Sequence, residues 1–183
     1  SATCITGLVV YDTATHWSLF GKTVILMMIQ IGGLGFMTIA TLFSFMMRRK
    51  ITLRERLIMV EALNQNQIQG IVGMTQRILT VTFSVELIGA VVLATRFVPD
   101  YGFYGVYMAI FTAISAFCNA GFDLLGTPEH QFPSLTAYVH DPVVNLTIMG
   151  LIIIGGLGFL VWANLHHTRK LSDMQLHTKL VLV

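Results

Sequence analysis

Two short stretches carry residues able to do chemistry without a catalytic side chain. Cys4-Ile5-Thr6-Gly7-Leu8 and Cys118-Asn119-Ala120-Gly121-Phe122 share a C-x-x-G pattern closed by a bulky apolar residue. What such a segment offers is its backbone. Glycine supplies the φ/ψ freedom that lets carbonyl oxygens turn to one side, and carbonyls so turned can replace a cation's hydration shell. The candidate site residues are Thr3, Cys4, Ile5, Thr6, Gly7 and Leu8 in the first stretch, and Phe117, Cys118, Asn119, Ala120, Gly121 and Phe122 in the second. The competing reading of residues 118–122 is a plain turn between a helix and an external loop; the second copy favours the ion-facing one. The cysteines occupy matched positions three residues before each glycine. They read as small side chains beside the backbone, since a metal site would need more ligands.

An identical hexapeptide follows each stretch, at Ile31–Phe36 and Ile154–Phe159. A repeat coupling a glycine turn to an apolar helix predicts copies of one hairpin-like unit. A nucleotide-loop reading of Gly32, Gly33, Gly35, Gly155, Gly156 and Gly158 fails, because the spacing is wrong and no strand precedes them. Small residues in apolar helices usually permit close helix packing, which is their expected role.

The elements that must position these loops are membrane helices. Apolar residues make up 55% of the chain and charged residues 11%, against roughly 25% charged in soluble domains. Mean hydropathy is +0.74. Thr23–Met47 is uncharged over 25 residues. As one helix it would reach about 37 Å, enough for a hydrocarbon core of about 30 Å. Pro142–Leu165 is a second uncharged run, and Ile78–Thr95 a third, interrupted only by Glu86. The chain opens with Ser inside a motif and reads as a fragment.

Charge places a fourth run, Tyr101–Phe122. Arg48, Arg49, Lys50, Arg54 and Arg56 put the end of the first span in the cytoplasm. If Tyr101–Phe122 crossed fully, His166-His167-Thr168-Arg169-Lys170 would lie outside, against the positive-inside rule. If it is re-entrant, both basic clusters are cytoplasmic and Asp123, Glu129 and Asp141 are external. The re-entrant form has Tyr104–Phe117 as a helix of about 21 Å, too short to span. Cys118–Phe122 then follows as extended backbone, which survives at membrane depth only when buried in protein or lining a watery cavity.

Glu86 is the one ionisable residue inside a span. Such residues tend to carry function, and a hydrogen-bonded packing role stands beside that reading. Gln30, Asn145 and Asn164 are expected to hydrogen-bond between helices. Asp12, Asp100, Asp123, Glu129 and Asp141 either concentrate cations at a mouth or sit on solvated loops. No nucleophile, base or metal set supports an enzyme. No phosphate loop or nucleic-acid signal is present.

The ordered set SATCITGL (Ser1–Leu8), IQIGGLGFMT (Ile29–Thr38), EALNQ (Glu61–Gln65), SAFCNAGF (Ser115–Phe122), DPVVNL (Asp141–Leu146), IIIGGLGF (Ile152–Phe159) and LHTKLVL (Leu176–Leu182) resembles KtrB-type membrane subunits of the Trk/Ktr/HKT potassium-transporter superfamily. The resemblance implies an all-α membrane protein of helix–pore-loop–helix repeats, potassium-channel-like and here incomplete. Residues 1–56 would end the first repeat and 57–76 form a cytoplasmic connection. Residues 77–170 would make the second repeat, and 171–183 begin a link to a third. Gly7 and Gly121 would be filter glycines of a potassium path in the plasma (inner) membrane, crossed in several passes. One glycine per loop implies looser selectivity, with sodium as a further transported or coupling ion. The implied partners are membrane lipid, a second copy in a homodimer, and a KtrA-like cytosolic ring of nucleotide-binding regulatory subunits contacting 48–76 and 166–179. A non-conducting scaffold is the alternative.

Overall fold

Every regular element in residues 1–35, 71–158 and 161, the part described by a computed structural model, is helical. The helices are α1 (Thr13–His16), α2 (Leu19–Leu34), α3 (Ile71–Tyr101), α4 (Phe103–Phe117) and α5 (Pro142–Gly156), with a 3₁₀ turn at Thr136–Tyr138. The basic clusters at 48–56 and 166–170, the connection up to residue 70, Asn164 and the segment 171–183 lie outside the described residues.

The chain divides into two compact units, one of Ser1–Leu34 with Phe83–Gly156, the other of Gly35–Thr82 with Leu157–Val183. Both candidate loops belong to the first. In the second, Ile78 and Leu79 on the early part of α3 are buried.

Among the described residues, α3 is the helix long and apolar enough to cross a membrane, over Thr75–Tyr101. α4 has 15 residues, about 22 Å. It begins after Gly102, whose φ of +59° reverses the chain. It runs back so closely that a methyl group at Gly105 would overlap the Phe97 carbonyl. α4 packs against α5 and α2, and Met108, Ala109, Phe111 and Ala113 are fully buried with Leu93, Phe97 and Val144. The short helix expected over Tyr104–Phe117 is therefore present, and it stops at Phe117 rather than continuing as a rod.

Two expectations change. Thr23–Met47 and Pro142–Leu165 read as single spans, bent at most locally near their glycines. Instead α2 ends at Leu34 and α5 at Gly156, followed by Gly35 at φ +77° and Gly158 at φ +81°. A left-handed glycine just past a helix is a stop signal, because no Cβ opposes it. The third glycine of each hexapeptide is thus a terminator. Asn145 was expected to bond between helices. Its Nδ2 instead donates to the carbonyls of Tyr138, Val139 and Asp141, tying down the turn before its own helix. There Pro142 occupies the first turn, where no N–H is required, and Asp141 Oδ1 accepts from the amides of Val143 (2.9 Å) and Val144 (3.3 Å).

Gly105→Ala tests the α3–α4 reversal. Its methyl group meets backbone rather than a movable side chain, so a loss of about 2–3 kcal/mol is expected. Thermal unfolding of the detergent-solubilised protein should show it; an unchanged midpoint would contradict the close approach.

Candidate functional site

The two loops share backbone geometry as well as sequence. Ile5 N donates to Ala2 O (3.3 Å) and Thr6 N to Ser1 O (3.2 Å). At matched positions Asn119 N donates to Ala116 O (3.1 Å) and Ala120 N to Ser115 O (2.8 Å). Ile5 and Asn119 are left-handed at φ +54° and +56°, Gly7 and Gly121 at +69° and +73°. Asn tolerates that region, whereas a β-branched Ile there is strained by about 1–2 kcal/mol. This corrects the expectation of extended backbone from Cys118. Cys118 and Asn119 form the turn that closes α4, and regular structure is absent only from Ala120 onward.

The loops meet at their glycines. A Cβ on Gly7 would lie 2.7 Å from Ala120 O and 3.6 Å from Gly121 Cα. Behind them stand the hexapeptide glycines. A methyl group at Gly32 would overlap the Thr3 carbonyl, and one at Gly155 the Phe117 carbonyl; Thr3 and Phe117 are matched loop positions. At Gly33 it would overlap Cys118 Sγ. The close packing expected of these glycines is real: Gly155 admits the last residue of α4, Gly33 the Cys118 side chain just beyond it, and Gly32 the loop backbone at Thr3. Phe117, Cys118, Ala120 and Phe122 are buried, while Asn119, Gly121, Thr3, Cys4, Thr6 and Leu8 are exposed. Both cysteines are free thiols.

Ser115 escaped the sequence reading as a site residue. It is buried, donates to Phe122 O at 2.6 Å and accepts from Phe122 N at 2.9 Å. One hydroxyl thereby satisfies both polar groups of the residue after Gly121. The signal available was its match to Ser1, whose Oγ lies 3.0 Å from Thr6 Oγ1.

Four of the five expected external carboxylates hold chain together. Asp12 caps α1 through Thr15 N (2.9 Å). Asp100 accepts from Tyr138 Oη (2.6 Å). Asp141 pairs with Arg96 (3.3 Å). Asp123 Oδ1 accepts from Leu125 N (3.0 Å). Burial raises the Asp123 carboxyl above its ordinary value, the Leu125 amide opposes this, and the Asp12 charge adds to it. Asp123 also borders a cavity of about 290 Å³ beside Gly121, lined further by Thr112, Asn119, Ile148 and Ile152. Glu86 is buried. Both its oxygens accept from Gln30 Nε2 at 3.0 Å, an α3–α2 bridge of the kind expected of Gln30.

Residues 1–180 match the TrkH family, described as cation transport proteins. The chain belongs to the TrkH family. It is 48% identical over its whole length to Ktr system potassium uptake protein B of Bacillus subtilis (strain 168), covering 40% of that protein. It is 40% identical to potassium/sodium uptake protein NtpJ of Enterococcus hirae, covering all of this chain and 39% of that one. With Ktr system potassium uptake protein B of Vibrio alginolyticus it shares 39% identity, again over the whole chain and 40% of the relative. The chain thus spans about two-fifths of the length of the curated relatives it matches. Membership of a cation transport family supports a membrane location for this chain.

Two measurements test this geometry. Ser115→Ala leaves the buried amide and carbonyl of Phe122 unpaired and should cost about 2–3 kcal/mol, read as a lower unfolding temperature; no shift would mean the pair is not formed. Asp123→Asn keeps the oxygen facing Leu125. A raised carboxyl pKa means the folded state holds the proton more tightly than the unfolded one, so stability falls as pH rises from the ordinary carboxylate range through the raised value. Asp123→Asn should therefore be more stable than wild type at neutral pH, with the gain vanishing in acid. A gain that persists in acid would refute the cause given.

Proposed function

We propose that this segment forms part of the ion path of a potassium-translocating membrane protein. The observation that carries the reading is the meeting of two backbone-matched glycine loops at Gly7 and Gly121. Thr3 to Leu8 and Phe117 to Phe122 would supply two walls of a selectivity filter. Ions would pass by exchanging water for carbonyl oxygens, with no bond made or broken. The C-terminal end of α4 points its partly negative pole into the second loop, which favours a cation there by about 0.3–1 kcal/mol.

The names of these relatives support potassium as the transported ion and admit sodium beside it. The word "system" in two of those names supports assembly with other subunits. We take these to be a second copy of the chain and a cytosolic ring of nucleotide-binding regulatory subunits. The nucleotide would belong to that ring. The repeats, their re-entrant loops and several membrane passes remain part of this reading, resting on the charge pattern and on α4 stopping at Phe117. Glu86 would act as an intramembrane acid tied to Gln30.

Gly121→Ser in the full-length protein is the test. At φ +73° any side chain is strained, by about 1–2 kcal/mol, yet only Gly7 Cα at 3.7 Å lies near the new atom. The protein should fold with its preference for potassium over sodium reduced. Unchanged affinities for both ions in uptake assays would count against the filter. Reconstituted full-length protein passing no ion at all would favour a scaffold.

A further inference from the structure

Asp12 is 6% exposed, and its carboxylate serves more than the helix it caps. α1 has four residues, too few to be stable alone, so capping it returns little for a buried charge. Oδ2 accepts from Thr15 N (2.9 Å) and Thr15 Oγ1 (2.7 Å). Oδ1 accepts from Phe132 N at 3.3 Å, 120 residues away. A methyl group at Gly126 would overlap both carboxylate oxygens. Asp12 and Gly126 are matched positions, each five residues beyond its loop glycine, Gly7 or Gly121. The two outgoing segments therefore touch twice, first glycine to glycine and then aspartate to glycine.

We propose that Asp12 is a positioning residue that pins the outer ends of the two glycine loops together, and so fixes how the chain leaves Gly7 and Gly121. The consequence for ions rests on the function proposed above; the pin itself does not. Between the contacts, Leu124 and Leu125 are buried and Asp123 folds onto the Leu125 amide, so the second segment has little room to adjust alone. Beyond Gly126 the turn closes on itself, Thr127 N to His130 O (3.0 Å) and His130 N to Thr127 O (3.1 Å). Phe132 and Ser134 then sit at φ +58° and +52°. Non-glycine residues hold such angles only where their surroundings over-determine them, and the bond from the Phe132 amide to Asp12 is one such constraint. Asp12 is not placed as an ion ligand. Its oxygens face protein donors, and nearly all of the side chain is covered.

Two variants separate placement from charge. Asp12→Asn keeps the shape and one acceptor oxygen, so Thr15 and Phe132 can no longer both be served. Gly126→Ala keeps the charge and expels the carboxylate from its seat. Each is made in the full-length protein and read in two ways, by amide hydrogen exchange across 123–134 and by the potassium-to-sodium flux ratio in liposomes. Both variants should exchange faster there than wild type. Both should lower the flux ratio by about tenfold, the scale of one lost charge-assisted hydrogen bond. Unchanged exchange in both variants overturns the pin. A ratio that falls with Asp12→Asn but holds with Gly126→Ala makes Asp12 an electrostatic residue and overturns placement. Faster exchange with an unchanged ratio leaves a structural tie without influence on the path, and overturns positioning. If wild type carries no potassium, the proposed function fails, and hydrogen exchange alone then decides the pin.

Discussion

Backbone lying directly on backbone is the constraint from which the rest of this structure follows. Gly7 faces Ala120 O, Gly32 faces Thr3 O, and Gly155 faces Phe117 O. No side chain fits at these points, and forcing one in costs about 1–3 kcal/mol or more, because backbone cannot step aside as a flexible side chain can. Close approach also demands that the loop's polar groups find partners within protein. α4 meets that demand: its last carbonyls accept the amides of Cys118, Asn119 and Ala120, and the Ser115 hydroxyl serves Phe122.

Around the loops, charge is used locally before it is used as a field. Four of the carboxylates expected outside accept hydrogen bonds from named donors or pair with Arg96. A hydrogen bond to a charged group contributes about 1.5–3 kcal/mol, whereas an exposed charge is screened beyond about 8 Å in physiological salt. Local bonding therefore decides where these residues sit. Whatever field they add comes from positions already set by folding. Glu86 follows the same rule inside α3. A buried carboxylate without a partner would be costly, and Gln30 of α2 supplies the donor.

Much of this was legible in the residues. The doubled C-x-x-G and the doubled hexapeptide located both loops, and the scarcity of charge pointed to α2, α3, α4 and α5 though not to all their ends. Pro142 marked the first turn of α5, and Tyr104–Phe117 came within one residue of α4. These signals are local: chain reversal, helix starts and apolar runs depend on a few neighbouring residues. The errors were local too. Three glycines in four residues read as helix packing with at most a local bend, and the full stop at Gly35 and Gly158 was not anticipated. Asn145 read as an interhelical donor because its bond to the preceding turn depends on how that turn folds.

What the sequence by itself determined is where the backbone can turn and which segments are apolar, since both follow from side-chain type along the chain. What only the tertiary structure decided is which distant atoms meet: Gly7 with Ala120, Asp12 with Phe132, Gln30 with Glu86, Gly33 with Cys118. Those pairings depend on how α2 and α4 pack and on the loops lying side by side. A hydrogen bond 120 residues long in sequence leaves no trace in either neighbourhood, because each partner satisfies ordinary local rules as well.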